Sequence, residues 1–352
     1  MKVTAIWVYP IKALRGVPLR SAHLGPQGVE YDRRFMLCKV DEDGRLSKIQ
    51  LDRYPACSRF AQEIVGDEIR VRYQPPEEPL VPSRPQQAVV LRVPLDPDAS
   101  GLDRQVVNLH QGLVNAYRMG PRFDEWFTAC FGFRAALLYI GGERRPVLGT
   151  FSPRSQPAAV AAPPASDGWL SRLNGYAWGG RDQHQPGPEP DWLAFSDVAA
   201  YLVVSEKSLG NVNARLSGGG ADAVKFRPNI VVDGEGEFDE DFWAELSIGG
   251  RPTLALTKMC TRCTSLNVDY QTGRFGEGEE GALLKKLMSD RRVDMGSKWA
   301  PVFGKYGFLV GDLDGVDISV GDEVVVTKRT AERPVSDWPY KDAKAARFYR
   351  YS

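Results

Sequence analysis

Apolar residues in this chain come in short bursts, and that brevity limits what it can become. Residues 4–9, 34–40, 63–73, 88–93 and 105–109 are β-branched or aromatic stretches cut off by Gly, Pro or Asp. Residues 201–204, 229–232, 245–248, 253–256, 265–268, 308–310 and 323–326 repeat the pattern later. Runs of this kind bounded by turn formers read as strands, and many of them at close spacing favour a barrel or sandwich over a helical bundle. The expected class is mainly β with some helices (α+β), with an N-terminal β-rich domain followed by a second β region built as a barrel or sandwich.

Two helices interrupt the strands. Tyr117, Phe123, Trp126 and Phe127 recur at helical spacing within 115–131, and Gly120-Pro121 marks where the helix proper begins. These aromatics read as core packing. Ser205 is a natural N-cap for a second helix running to about Leu216. Between the two β regions, 141–190 turns to Pro, Gly, Ala and polar residues, including Pro163-Pro164 and Pro186, Pro188 and Pro190. A connection of that length is either a functional lid or unstructured. The expected organisation is a domain at 1–140, an insertion at 141–190, a second domain at 191–328 and a tail at 329–352 that straps the surface.

Lys plus Arg total 45 and Asp plus Glu total 45. The overall charge therefore gives no reason to expect a nucleic-acid or anionic-membrane partner, and any anion site must be local. Cys38, Cys57, Cys130, Cys260 and Cys263 are odd in number and scattered apart from one pair, which fits a reducing compartment better than a disulfide framework. No basic, apolar leader precedes the first strand and no stretch of about 18 apolar residues occurs. The expectations are a cytoplasmic location and no transmembrane segment.

The pair Cys260-Thr261-Arg262-Cys263 is expected on a tight connection between strands at 253–256 and 265–268. Half of a zinc site would need further paired Cys or His, and His23, His110 and His184 are isolated. A thioredoxin-like pair would start a helix within a βαβ unit. A third reading is a single thiolate ligand to a soft metal, with Arg262 beside it to favour the charged form. The plain alternative is two buried cysteines acting as small hydrophobes.

The flanking residues bear on this choice. Phe226-Arg227-Pro228-Asn229-Ile230-Val231, Trp243, Leu246-Ser247-Ile248-Gly249 and Cys260-Thr261-Arg262-Cys263 through Asp269 resemble the MOSC family. Trp7-Val8-Tyr9-Pro10-Ile11-Lys12, Asp32-Arg33-Arg34-Phe35 and Pro301-Val302-Phe303-Gly304 extend the likeness over nearly the whole chain. Within that family the chain is most similar to the mitochondrial amidoxime-reducing component and its bacterial relatives. The resemblance implies a MOSC-type β-barrel and a molybdenum cofactor (Mo-molybdopterin) with Cys263 as the protein ligand to the metal. It carries cofactor contacts to Lys12, Arg34, Arg227, Asn229 and Arg262, and further to Ser205, Ser208 and Tyr306. A pterin phosphate needs cationic and N–H donors, and this set supplies Lys, Arg and a helix N-terminus. Ala13 departs from the family by following Lys12 where relatives often have Ser.

By the same resemblance the chain is a two-electron reductase of N-hydroxylated or N-oxide small molecules. Ser196-Asp197 falls on the substrate side of the metal, where Asp197 is either a proton donor or an orienting group; an Asp in a loop ordinarily makes only local hydrogen bonds. No nicotinamide or flavin motif is evident, so electrons must come from an external donor protein; the resemblance implies a b-type cytochrome with a flavoprotein reductase, or a ferredoxin-type carrier. Two other functions stay open. One is a non-catalytic carrier of molybdenum cofactor or sulfur, and the other a molybdoenzyme redirected to a dedicated metabolite.

Overall fold

The computed structural model describes residues 1–154, 190–217, 222–311 and 314–337. Most of the expected insertion at 141–190 lies outside the described residues, as does the tail from 338 onward.

The chain is mainly β, as its short apolar runs predict. Among the described residues the largest sheet has eight strands in the order Val17–Leu19, Val3–Val8, Ile230–Val232, Tyr201–Ser205, Val302–Leu309, Arg251–Thr261, Trp243–Ile248 and Val324–Arg329. The first two strands of the chain are thus built into a sheet made mostly by its C-terminal half, with Ile6 opposite Ile230. Every neighbouring pair in it is antiparallel except Tyr201–Ser205 with Ile230–Val232. A parallel pair needs a crossover, supplied here by the helix Glu206–Asn213 and the 3-10 turn Ala223–Phe226. That crossover returns the chain beside its starting point, where the Asn229 amide donates to the Leu202 carbonyl at 2.8 Å.

A second sheet joins Asp103–Leu109, Gly112–Arg118, Ala135–Tyr139, Phe35–Val40 and Leu46–Lys48, and a three-stranded sheet joins Phe60–Val65, Glu68–Tyr73 and Leu91–Pro94. The helix Pro121–Phe131 packs with both. Pro121 occupies the first turn, where its missing N–H leaves no bond unmade, and Gly132 ends the helix in the left-handed conformation at φ 76°. Phe60, Trp126, Phe127 and Phe131 are all buried, and their ring centroids lie 4.8 to 5.8 Å from Phe60. Each such side chain contributes about 1.5–3 kcal/mol through burial.

Four expected elements differ in detail. Residues 63–73 are parts of two strands, Phe60–Val65 and Glu68–Tyr73, turned at Gly66. Residues 115–118 are extended rather than the approach to a helix, because Asn115 pairs across the hairpin with Val106 and Tyr117 with Arg104. The strand expected at 253–256 runs through Arg251–Thr261, since its pairing with the neighbouring strand continues to Thr261 opposite Val302. Cys260 therefore lies inside a strand, and the strand expected at 265–268 is largely the 3-10 turn Thr264–Asn267. No helix among the described residues is long and apolar enough to cross a membrane.

Candidate functional site

Segments far apart in sequence end on one cleft of about 850 Å³. After Val3–Val8 the chain turns to place Lys12 and Ala13, with Ala13 left-handed at φ 73°. The 3-10 turn Ala223–Phe226 ends on Arg227, also left-handed at φ 55°, just ahead of Asn229. The end of Arg251–Thr261 delivers Cys260, Arg262 and Cys263, and the adjacent strand Val302–Leu309 delivers Tyr306.

The chain is neutral overall, but the cleft is not. Lys12, Arg33, Lys48, Arg53, Lys225, Arg227 and Arg262 line it against Asp52 and Asp197, seven cations to two carboxylates. Low-dielectric walls lined by one sign of charge concentrate the opposite charge. Arg33 and Arg227 flank the ring of Tyr9, their guanidinium carbons 4.7 and 4.3 Å from its centre. Arg33 pairs with Asp32 and reaches Asn229 Oδ1 at 3.3 Å. One terminal nitrogen of Arg227 donates to the Leu14 carbonyl at 2.8 Å; the other is buried without a hydrogen-bond partner among the described residues. The buried Ser196 hydroxyl is likewise unbonded. Unpaired buried donors beside clustered cations suit an anionic, multiply accepting ligand.

Other lining residues hold the frame. Asn229 accepts from the Leu202 amide at 3.2 Å and donates to the Trp7 carbonyl at 3.3 Å, which ties three strands together. Arg262 donates to the Phe226 carbonyl at 2.8 Å and to the Phe303 carbonyl at 2.7 and 3.0 Å, and so fixes the turn that leads to Cys263.

Lys12 is buried, donating to the Phe195 carbonyl at 2.8 Å and to Asp197. Burial pushes its ammonium down to about 8, against the opposing pull of Asp197. Asp197 also accepts from His110 Nε2 at 2.9 Å, and its backbone carbonyl accepts from Arg145 at 2.7 Å. Burial pushes the Asp197 carboxyl up, but the Lys12 charge and the His110 hydrogen bond outweigh it and hold the group well below the usual carboxylate range. Half of the side-chain surface still opens to the cleft, so an ionised carboxylate faces the space.

The two cysteines part company. Cys260 is buried, and burial raises its thiol pKa. Cys263 is exposed, with its sulfur 3.2 Å from the Ser265 hydroxyl. A thiol open to a cationic cleft is the better metal ligand of the two.

Of the residues expected at the site, Lys12, Asp197, Arg227, Asn229, Arg262, Cys263 and Tyr306 all line this cleft. Arg34, Ser205 and Ser208 do not. Arg34 donates to the Gly141 carbonyl at 2.6 Å beside the Tyr139 ring, within the second sheet. Ser205 precedes its helix as expected, but its hydroxyl caps nothing and is buried close to Gly234. Ser208 donates to Glu240 at 2.7 Å and accepts from the Phe238 amide, also at 2.7 Å. Sequence reasoning passed over Arg33, Lys48, Arg53 and Lys225, and weighed His110 only as a zinc ligand.

Residues 190–325 match the MOSC domain, and residues 1–133 match the MOSC N-terminal beta barrel domain. The chain is 25% identical to mitochondrial amidoxime-reducing component 1 of Homo sapiens over 330 residues, which cover 92% of this chain and 82% of that protein. With the Mus musculus protein of the same name the identity is 27% over 329 residues, 92% of this chain and 81% of that protein. Molybdenum cofactor sulfurase of Homo sapiens is 24% identical over 346 residues, 94% of this chain but 33% of that longer protein.

Proposed function

The chain belongs to the MOSC-domain family, and from that premise we propose that it binds a molybdenum cofactor in this cleft and reduces N-hydroxylated or N-oxide compounds. The observation that supports this best is a cleft with seven cations to two carboxylates, into which one accessible thiol opens. Cys263 is the proposed metal ligand. Arg33, Arg227 and Lys12 are the proposed anion contacts. When bound, the cofactor supplies the two-electron exchange that breaks an N–O bond.

The chain's own residues then bind and orient. Asp197, ionised and half open to the cleft, accepts a hydrogen bond from a substrate N–H and so sets which end of the N–O group points inward. Tyr306 and Phe151, with ring centres 6.0 Å apart, form an apolar wall beside Cys260 that excludes water. Electrons are proposed to come from a partner protein, a b-type cytochrome with its flavoprotein reductase or a ferredoxin-type carrier, in a cytoplasmic setting.

A second reading, a carrier of molybdenum cofactor or sulfur, draws on the likeness to molybdenum cofactor sulfurase along 94% of this chain. The test is turnover of a panel of amidoximes, hydroxylamines and N-oxides by cofactor-loaded protein with a chemical reductant. Broad turnover supports the reductase. Turnover of none by loaded protein leaves the carrier, and turnover of a single compound indicates an enzyme redirected to a dedicated metabolite.

A further inference from the structure

Leu109-His110-Gln111-Gly112 closes the hairpin between Asp103–Leu109 and Gly112–Arg118. His110 and Gln111 are both left-handed, at φ 54° and 70°, in the manner of a two-residue type I′ turn. Asn-Gly would take that backbone at less cost; a non-glycine residue there costs about 1–2 kcal/mol. The cost places the imidazole in the cleft, with Nε2 2.9 Å from Asp197 Oδ1. The same carboxylate oxygen also accepts from Lys12. Because Asp197 is ionised, Nε2 carries the donated proton, and Nδ1 has no hydrogen-bond partner among the described residues. His110 keeps 27% of its side-chain surface exposed, so the ring touches both solvent and a carboxylate that is itself half open to the reaction space.

We propose that His110 is the proton entry point of this cleft, passing protons from solvent through Asp197 to the oxygen that leaves the substrate. The inference rests on the reductase reading. Each turnover converts an N–OH group, two electrons from the external donor and two protons into N–H and water. The N–O bond breaks, one proton ends in the water formed and the other on nitrogen. Uptake of a proton at Nδ1 with release of the Nε2 proton to Asp197 moves one proton inward and leaves the ring neutral; Asp197, which orients the substrate while ionised, holds that proton only in passing and delivers it to the departing oxygen. The charged groups facing His110 are Asp197, Lys12 and Lys48. Burial lowers its pKa while Asp197 opposes that change, so the ring is mainly neutral near pH 7 and available to accept.

His110→Gln separates relay from support, because an amide N–H can still donate to Asp197 but cannot carry protons. In loaded protein with dithionite as reductant, kcat for an amidoxime is expected to fall on the order of 100-fold, with cofactor content and KM near wild type. A second readout needs no turnover. In ¹⁵N-histidine NMR, one of the three histidine signals disappears in His110→Gln, and that signal titrates at lower pH in Asp197→Asn, which lacks the carboxylate charge. Wild-type turnover unchanged in His110→Gln overturns the relay, as does a His110 titration indifferent to Asp197→Asn. Loaded wild-type protein that turns over no N-oxygenated substrate overturns the reductase reading itself and the relay with it, even where the NMR coupling is intact.

Discussion

Lys12→Met should stabilise the protein without cofactor. Lys12 is 6% exposed, and burial lowers its pKa from 10.5 to about 8. A base shifted downward on folding penalises the folded state whenever it is charged, at about 1.4 kcal/mol per tenfold change in the ionisation constant. The penalty here is about 3 kcal/mol, fully present below pH 8 and removed as pH rises toward 10.5. Met has a similar length and no charge to desolvate. It forfeits the hydrogen bond to the Phe195 carbonyl, which costs about 1–2 kcal/mol for a buried acceptor left unpaired. Asp197 loses its cation but stays half open to solvent and keeps His110. The net expectation is a gain of about 1–2 kcal/mol at pH 7. Urea denaturation of cofactor-free protein at pH 7 and pH 10 is the assay, and wild type should close the gap at the higher pH. A Lys12→Met variant that is less stable than wild type at pH 7, or whose deficit or gain is the same at both pH values, would show that the buried ammonium carries no such penalty. A bound anion beside Lys12 would relieve the same penalty, so the buried ammonium is a stability cost tied to binding.

Burial raises the Glu240 pKa from 4.5 to about 7, so its penalty is absent at pH 4 and complete above pH 7; Glu240→Gln should gain up to about 3 kcal/mol at pH 8 and nothing at pH 4, read by urea midpoints. Asp241 holds Arg291 through three contacts of 2.7 to 3.0 Å, with both side chains under 5% exposed. Asp241→Asn leaves that guanidinium with a buried, unbalanced charge and should cost about 3–5 kcal/mol, seen as a lower thermal midpoint. Gly304 is left-handed at φ 74°, and a Cβ there would lie 2.6 Å from Val204 Cγ1 and 2.7 Å from the Val203 carbonyl. Gly304→Val should therefore fold poorly, with loss of soluble yield relative to wild type.

The sequence discloses elements more readily than orientation. Short runs between turn formers are enough to mark a mainly β chain, and Gly120-Pro121 with Gly132 brackets the first helix, because these signals are local. Which strands neighbour one another is not local. Nothing near Val3–Val8 in the chain says that it pairs with Ile230–Val232, yet that pairing is what brings Lys12 to Asn229. Asp32-Arg33-Arg34 shows two adjacent arginines, and only the left-handed backbone at Arg33, φ 50°, decides that Arg33 enters the cleft while Arg34 turns to Gly141. His110 escaped for a similar reason, since its direction is set by a turn that histidine rarely occupies. Ser205 was legible as the start of a helix, but the direction of that helix relative to the cleft was not.

A molybdenum cofactor held in the cleft on Cys263 is the reading on which the rest depends. Its most direct test is molybdenum by mass spectrometry, with pterin fluorescence after oxidation, on protein from a cofactor-competent host, comparing wild type, Cys263→Ser and Cys260→Ser. Near-stoichiometric metal and pterin are expected in wild type, with loading or the metal centre disturbed far more by Cys263→Ser than by the buried Cys260→Ser. Neither metal nor pterin in any sample would contradict it, as would a metal centre that depends on Cys260 and ignores Cys263.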